Sequence, residues 1–385
     1  MKNLNIAALC ILAFAIISTS CRKGNDPIQQ PTTTQVSGGT DDGTIKGFFL
    51  LNEGNMGSNK ATIDYYDYPS GKYSKNIYPS RNPNVVKELG DVGNDIQIYG
   101  SKLYAVINVS NLIEVMDVKT AKHIATITVP NCRYLAFDKG YAYVSSYAGP
   151  VLIDPNSRLG YVARIDTATL KVRDTCVVGY QPEEMAIRDN KLYVANSGGY
   201  RVPNYDNTVS VIDLSAFKET KKIIVGINLD HIKPDGHGNL YVTSRGDYKT
   251  IPSNTYVINS SDQVSDVLNL PASNLTVSGD SIYVYSTQWS YVTNSNAISY
   301  AIINTQSKTV VTRNFITDGT DKKIVIPYGI AINPETKEIF VTDAKDYITP
   351  GRIYCFTPQG KYKWDAETGD IPGHIVFTRT RLSGF

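Results

Sequence analysis

The chain has 385 residues, 19% of them charged, and a formal net charge of +2. That balance excludes the broad electrostatic field expected of a nucleic-acid or membrane-surface binder. Tyr outnumbers Phe by 27 to 10. Strand propensity accounts for most of that excess, and tyrosine also supplies amphipathic contact surface.

Residues 1–20 have the layout of a lipoprotein signal peptide. Lys2 precedes an apolar run from Ile6 to Ile17, and Ser18-Thr19-Ser20 leads directly into Cys21. The run is too short to span a bilayer comfortably. Cys21 is the expected lipidation site, although Ser18 stands where Leu is usual; an ordinary signal with an incidental Cys21 is the alternative. Residues 21–44 are rich in Thr, Gln, Pro, Ser and Gly and read as a flexible tether behind the lipidated cysteine. The mature domain, 45–385, keeps Cys132, Cys176 and Cys355. None has a metal-binding spacing, and free buried thiols are expected. A Cys132–Cys176 disulfide fails on geometry, because the two fall about three strand spacings, or ~14 Å, apart across one repeat unit.

A hairpin pattern then recurs: GNDIQIYGSKLYAVINVS from Gly93, PEEMAIRDNKLYVANS from Pro182, LDHIKPDGHGNLYVTS from Leu229 and YGIAINPETKEIFVTD from Tyr328. Each has a short apolar strand, a polar turn, and an aromatic-centred strand ending in small polar residues. The aromatics Tyr104, Tyr143, Tyr193, Tyr241, Tyr283 and Phe340 recur at spacings of about 40 to 57 residues, close to those of propeller blades. Third and fourth strands follow, as in NTVSVIDL and KETKKIIV. Asp117, Asp166 and Asp213, just after third strands, are expected to bind turn backbone rather than to act in catalysis. Six complete units run from about Gly93 to Gly369. GFFLLNEGN with its two following strands lacks a first strand, and HIVFTRT near the C-terminus supplies one. The expected fold is all-β: a seven-bladed β-propeller of four-stranded antiparallel blades, closed by pairing of N- and C-terminal strands.

Function should lie where the blades differ. In a propeller, the links from fourth to first strand and from second to third strand open on one face. The second-to-third links here are irregular and aromatic, with Tyr147, Tyr200, Tyr205, Tyr248, Trp289, Tyr291 and Tyr347. Such rings either pack on neighbouring loops or cover a ligand. Arg133, Glu183, His231 and Tyr328 open first strands, among the channel-mouth positions that also include Asn94, Asp95, Glu184, Asp230, Asn274 and His374. Arg201 and Arg245 complete a mixed donor and acceptor collar. These twelve residues, Arg133, Tyr147, Glu183, Tyr200, Arg201, His231, Arg245, Tyr248, Trp289, Tyr291, Tyr328 and Tyr347, are the candidate ligand-binding set. The collar suits a large, neutral, polar ligand with several amide or hydroxyl groups. Catalysis has thinner support: Glu183 and Glu184 beside His231 are the one acid-base constellation, and no GxSxG, HExxH or P-loop pattern is present. No catalytic or metal-ligating residue is assigned.

The LYVAN and VSVID patterns resemble the YncE-like seven-bladed propellers across residues 47–385. FFLLNEGNMGSN after a lipoprotein leader is similar to the branch that includes the BtuG-type surface lipoproteins. The resemblance implies a non-catalytic, lipid-anchored outer-membrane protein facing the cell exterior. It would capture cobalamin (vitamin B12), as ligand rather than cofactor, and pass it to a BtuB-type TonB-dependent transporter. It would be a monomer in isolation and would bind no nucleic acid. No residue-level cobalamin motif carries over, so the binding set rests on topology. An oligosaccharide or glycoprotein binder, using Trp289 and Tyr248 to stack on sugars, is the second expectation, and a hydrolase or lactonase the third.

Overall fold

The computed structural model describes residues 28–85, 88–290 and 294–385. The leader and Cys21 lie outside them, as does Tyr291. Seven antiparallel sheets form a closed ring with almost no helix. Blades are numbered here from the one that closes the ring. Their innermost strands are Pro372–Thr378 (blade 1), Gly93–Tyr99, Cys132–Asp138, Pro182–Arg188, Leu229–Pro234, Asn274–Ser278 and Pro327–Ile332 (blade 7).

Blade 1 joins the two ends of the domain. The C-terminal strand Pro372–Thr378 pairs antiparallel with Gly47–Asn52, Phe48 opposite Phe377 and Leu51 opposite His374. Thr62–Asp67 and Lys72–Lys75 follow outward. The tail then locks the seam. Arg381 grips the Asp67 carboxylate with two hydrogen bonds at 2.9 and 2.8 Å, and Leu382 is buried against the same sheet.

One correction concerns the tether. Within the segment 21–44, Thr32–Gln35 is a strand, paired from Thr32↔Lys75 to Gln35↔Lys72. Blade 1 therefore has five strands where four were expected. The polar Thr and Gln side chains suit this position because an edge strand needs backbone pairing and no apolar face.

The repeated second-strand aromatic is an inter-blade wedge. Tyr104 meets Phe137 of the next blade at 5.0 Å between ring centres. Tyr143 meets Phe217 at 5.8 Å, and the Tyr241 hydroxyl donates to the Thr305 carbonyl at 3.3 Å. Phe340 closes the circle, packing on Phe48 at 5.0 Å and Phe377 at 5.8 Å. Each blade thus buries its face only against its neighbours, which is why the sequence repeats. Asp117, Asp166 and Asp213 each accept turn amides, as in Thr120 N–H to Asp117 at 2.9 Å and Thr169 N–H to Asp166 at 2.8 Å. Cys132, Cys176 and Cys355 are free and buried.

Because the fully buried Phe48 packs the closing blade against Phe340 of blade 7, Phe48→Ala should lower unfolding stability by about 3–5 kcal/mol. Urea denaturation would measure it. A loss below about 1 kcal/mol would mean that the seam is not a tightly packed core contact.

Candidate functional site

The inner strands would ordinarily alternate their side chains between faces. Here pairing between first and second strands slips near the channel-mouth end in six of the seven blades. The shifts fall between Gly93 and Asp95, Pro182 and Met185, Leu229 and Ile232, and Pro327 and Ile330, with equivalents in blades 1 and 3. A bulge places consecutive residues where one would stand and re-aims them. This is how adjacent pairs such as Arg133-Tyr134 and Asp230-His231 both line the mouth.

The small polar residues that end the second strands satisfy the amides a bulge would orphan. Tyr134 N–H donates to Ser145 Oγ at 3.1 Å, His231 N–H to Thr243 Oγ1 at 3.0 Å, and Gly329 N–H to Thr342 Oγ1 at 2.7 Å.

The mouth opens into a cavity of about 670 Å³. On its floor the buried Glu183 carboxylate bridges two blades. Arg133 donates to Oε2 at 3.0 Å through Nε, with Nη2 at 2.9 Å. Arg245 donates to Oε1 at 3.1 Å and turns its other nitrogen to Asp230 Oδ1 at 2.7 Å. The Tyr147 hydroxyl also donates to Glu183, and the Arg133 guanidinium lies 4.9 Å from the Tyr147 ring centre.

The chain of contacts continues sideways. His231 lies between Glu184 (3.3 Å) and Asp230 (3.5 Å). The Tyr134 ring meets His231 and His374 edge-on at 5.9 and 6.1 Å. His374 faces Glu53 at 3.4 Å, and Glu53 accepts from the Tyr328 hydroxyl at 2.8 Å.

Burial alone would push the Glu183 carboxyl up. Arg133, Arg245 and the Tyr147 hydroxyl outweigh it and hold the carboxyl at about 2. Glu184 is likewise raised by burial, then lowered to about 2 by Lys233 and His231. Burial pulls His231 down, but Asp230 and Glu184 leave it above the ordinary histidine value. Both glutamates are thus anions committed to internal partners. Neither glutamate is a protonated acid or an unengaged base, and His231 is held between Asp230 and Glu184. Among the described residues no cluster of His, Cys, Asp or Glu is arranged to hold a metal ion.

Nine of the twelve candidate residues line this cavity: Arg133, Tyr147, Glu183, Tyr200, His231, Arg245, and with them Tyr248, Tyr328 and Tyr347. Of the other three, two lie elsewhere and one falls outside the described residues. Arg201 lies 3.6 Å over the Tyr180 ring and donates to the carbonyls of Asn204 and Pro155, so it braces a loop. Trp289 is not on a loop, because Ser281–Ser290 and Ser295–Asn304 extend as a ten-residue hairpin with Trp289 opposite Asn296 near its tip. The third, Tyr291, lies outside the described residues. Two expected collar members, Asp95 and Glu184, sit below the cavity and staple blades, accepting Leu135 N–H at 2.9 Å and Ile232 N–H at 3.0 Å.

Sequence reasoning missed several wall residues. Glu53 and Met56 belong to the NEGNMGSN stretch, and Val151 and Ile153 to the loop after Tyr147. Met56 is 64% exposed and Ile153 67%. Their signal was present, since aliphatic side chains in a turn-rich loop are as costly to expose as aromatic ones. Tyr134 and Tyr285 were hidden because only the bulge, or a neighbouring blade, turns such core-like positions to the mouth.

Because Glu183 and Glu184 titrate near 4.5 when unperturbed and near 2 in the fold, the unfolded chain binds more protons between those values. Their stabilisation is present above about pH 4.5 and is lost as pH falls toward 2. Glu183→Gln, which leaves the half-buried Arg133 without its carboxylate and Arg245 with Asp230 alone, should cost about 3–5 kcal/mol at pH 7 and flatten the acid limb of the stability profile. Urea melts across pH 2–7 would show it. A variant with the parent's acid profile would contradict the assignment.

Solved structures resemble the chain in fold. Hydrazine synthase of Kuenenia stuttgartiensis aligns with 18% identity and a TM-score of 0.57, over 69% of this chain and 76% of that one. A quinoprotein alcohol dehydrogenase-like protein of Bacteroides thetaiotaomicron aligns with 18% identity and a TM-score of 0.56, over 87% and 78%. The computationally designed Ika8 protein aligns at 10% identity and 0.53, over 86% and 91%. At these identities the likeness is one of architecture. No curated protein matches the chain. Residues 46–359 match the family described as "Domain of unknown function (DUF5074)", and the chain belongs to that family.

Proposed function

We propose that this protein is a non-catalytic capture protein whose cavity binds cobalamin or a related corrinoid. The observation that carries the reading is a charged floor whose members are spent on one another, beneath a wall of tyrosine and aliphatic side chains. Arg133 and Arg245 are matched by Glu183 and Asp230. No strong field is then left to favour an anionic ligand over a neutral one.

The wall supplies apolar cover through Met56, Ile153, Tyr200, Tyr248 and Tyr347, and amides through Asn55, Asn94 and Asn274. Side-chain amides around a corrin ring would meet those polar groups, and the ring edges would meet the tyrosines.

The sequence leader adds location to this proposal. Lipidation at Cys21 would hold the protein on the outer membrane, facing outward, beside a BtuB-type TonB-dependent transporter that receives the ligand. Cys21→Ala should move the protein from the detergent phase to the aqueous phase; continued detergent partitioning would remove the lipid anchor from the account.

Binding is tested on the purified mature chain. It should retain cyanocobalamin through gel filtration and give a one-to-one calorimetric isotherm. Tyr248→Ala, at a position 62% exposed, should weaken binding by about tenfold without changing the melting temperature. A colourless protein with no heat of binding would end the corrinoid reading.

A further inference from the structure

A second cavity, of about 270 Å³, lies between the loops at 196–207 in blade 4 and 244–254 in blade 5. Val202 lines both this pocket and the large cavity. The blade 5 loop divides its side chains between the two. Tyr248 faces the large cavity, and its neighbours Asp247 and Lys249 face the smaller one. The walls of the smaller pocket are mainly apolar, from Val202, Pro203, Tyr205, Ile227 and Ile251.

This pocket has a built frame. Asp247 Oδ1 accepts the amides of Lys249, Thr250 and Ile251 at 2.9, 2.8 and 2.7 Å. Its own amide donates to the Ile251 carbonyl at 3.1 Å. Gly246, at φ +67°, allows that closure, since a Cβ there would stand 2.1 Å from the Ile251 oxygen. On the opposite side Arg201 ties the Asn204 carbonyl at 2.8 Å and rests on Tyr180. The Asp247 carboxylate is therefore occupied by backbone, and the pocket offers mainly apolar contact, with Lys249 its one cationic lining residue.

We infer that this pocket is an accessory subsite, which takes an apolar or aromatic arm of the same ligand whose polar body sits in the large cavity. The inference rests on the proposed corrinoid reading and adds that the ligand is bipartite. Size agrees: roughly 150 Å³ of apolar cavity accommodates one benzene ring, so 270 Å³ has room for a fused two-ring system. Exposure agrees as well. Val202 is 37% and Ile251 47% exposed, apolar area that an inserted ring would cover.

The test compares two probes on the mature chain. Cyanocobalamin carries a nucleotide arm ending in a benzimidazole; dicyanocobinamide has the same corrin body without that arm. Ile251→Trp, at an exposed position, fills the pocket, and Ile251→Ala empties it without adding bulk. Filling should weaken cyanocobalamin by about tenfold and leave dicyanocobinamide within about twofold, with Ala giving a smaller change in the same direction. Equal losses for both corrinoids, or no loss for either, would overturn the subsite and leave the large cavity's reading intact. If the parent chain binds neither corrinoid, the reading of the large cavity fails and the subsite falls with it.

Discussion

A single buried carboxylate organises the candidate site. Glu183 stands at the head of one blade and holds guanidinium groups from the blades on either side, Arg133 and Arg245. Three neighbouring wedges are thereby pinned at their inner corners by one charge. Isolated, each of these ions would be costly to remove from water. Together they neutralise one another, and the cavity above them is left with little net field. The tyrosine and aliphatic rim depends on that arrangement, because Tyr147 is itself fixed by its hydrogen bond to Glu183 and its contact with Arg133.

The geometry that makes this possible is the slip in the inner strands. Regular alternation would send every second side chain away from the mouth. The bulge sends consecutive ones inward, and hydroxyls at the ends of the second strands satisfy the displaced amides. Fold and site are coupled at this point. Ser145, Thr243 and Thr342 satisfy bulge amides in three of the blades, while the pairs that line the mouth, such as Arg133-Tyr134 and Asp230-His231, differ from one blade to the next.

The blade count, the closure by both ends and the positions of most first-strand site residues were legible because they follow from periodicity. Tyr104, Tyr143 and Tyr241 recur where a wedge must be filled, and GFFLLN has no first strand before it, so its inner edge is left to the C-terminal strand. What escaped was set by side-chain direction and by pairing between charges. Arg201 reads as a ligand group in sequence, yet it stacks on Tyr180 and braces a loop. Trp289 looked like a loop residue because nothing in STQWSYVTNSN announces that the hairpin continues. Thr32–Gln35 was indistinguishable from tether, since an edge strand that buries nothing has no hydrophobic signature. The charge states of Glu183 and Glu184 escaped for a related reason: spacing shows which groups meet, whereas ionisation depends on the cations facing them.

The central claim is that ligand is held by a cavity whose charges are already satisfied internally. The dependence of cyanocobalamin affinity on salt tests it most directly. With the floor's arginines and carboxylates paired to one another, the dissociation constant should change by less than about twofold between about 0.05 and 0.5 M NaCl, since screening acts on exposed, unpaired charges. A tenfold or greater loss across that range would show that an exposed charge carries the binding, and would contradict the account.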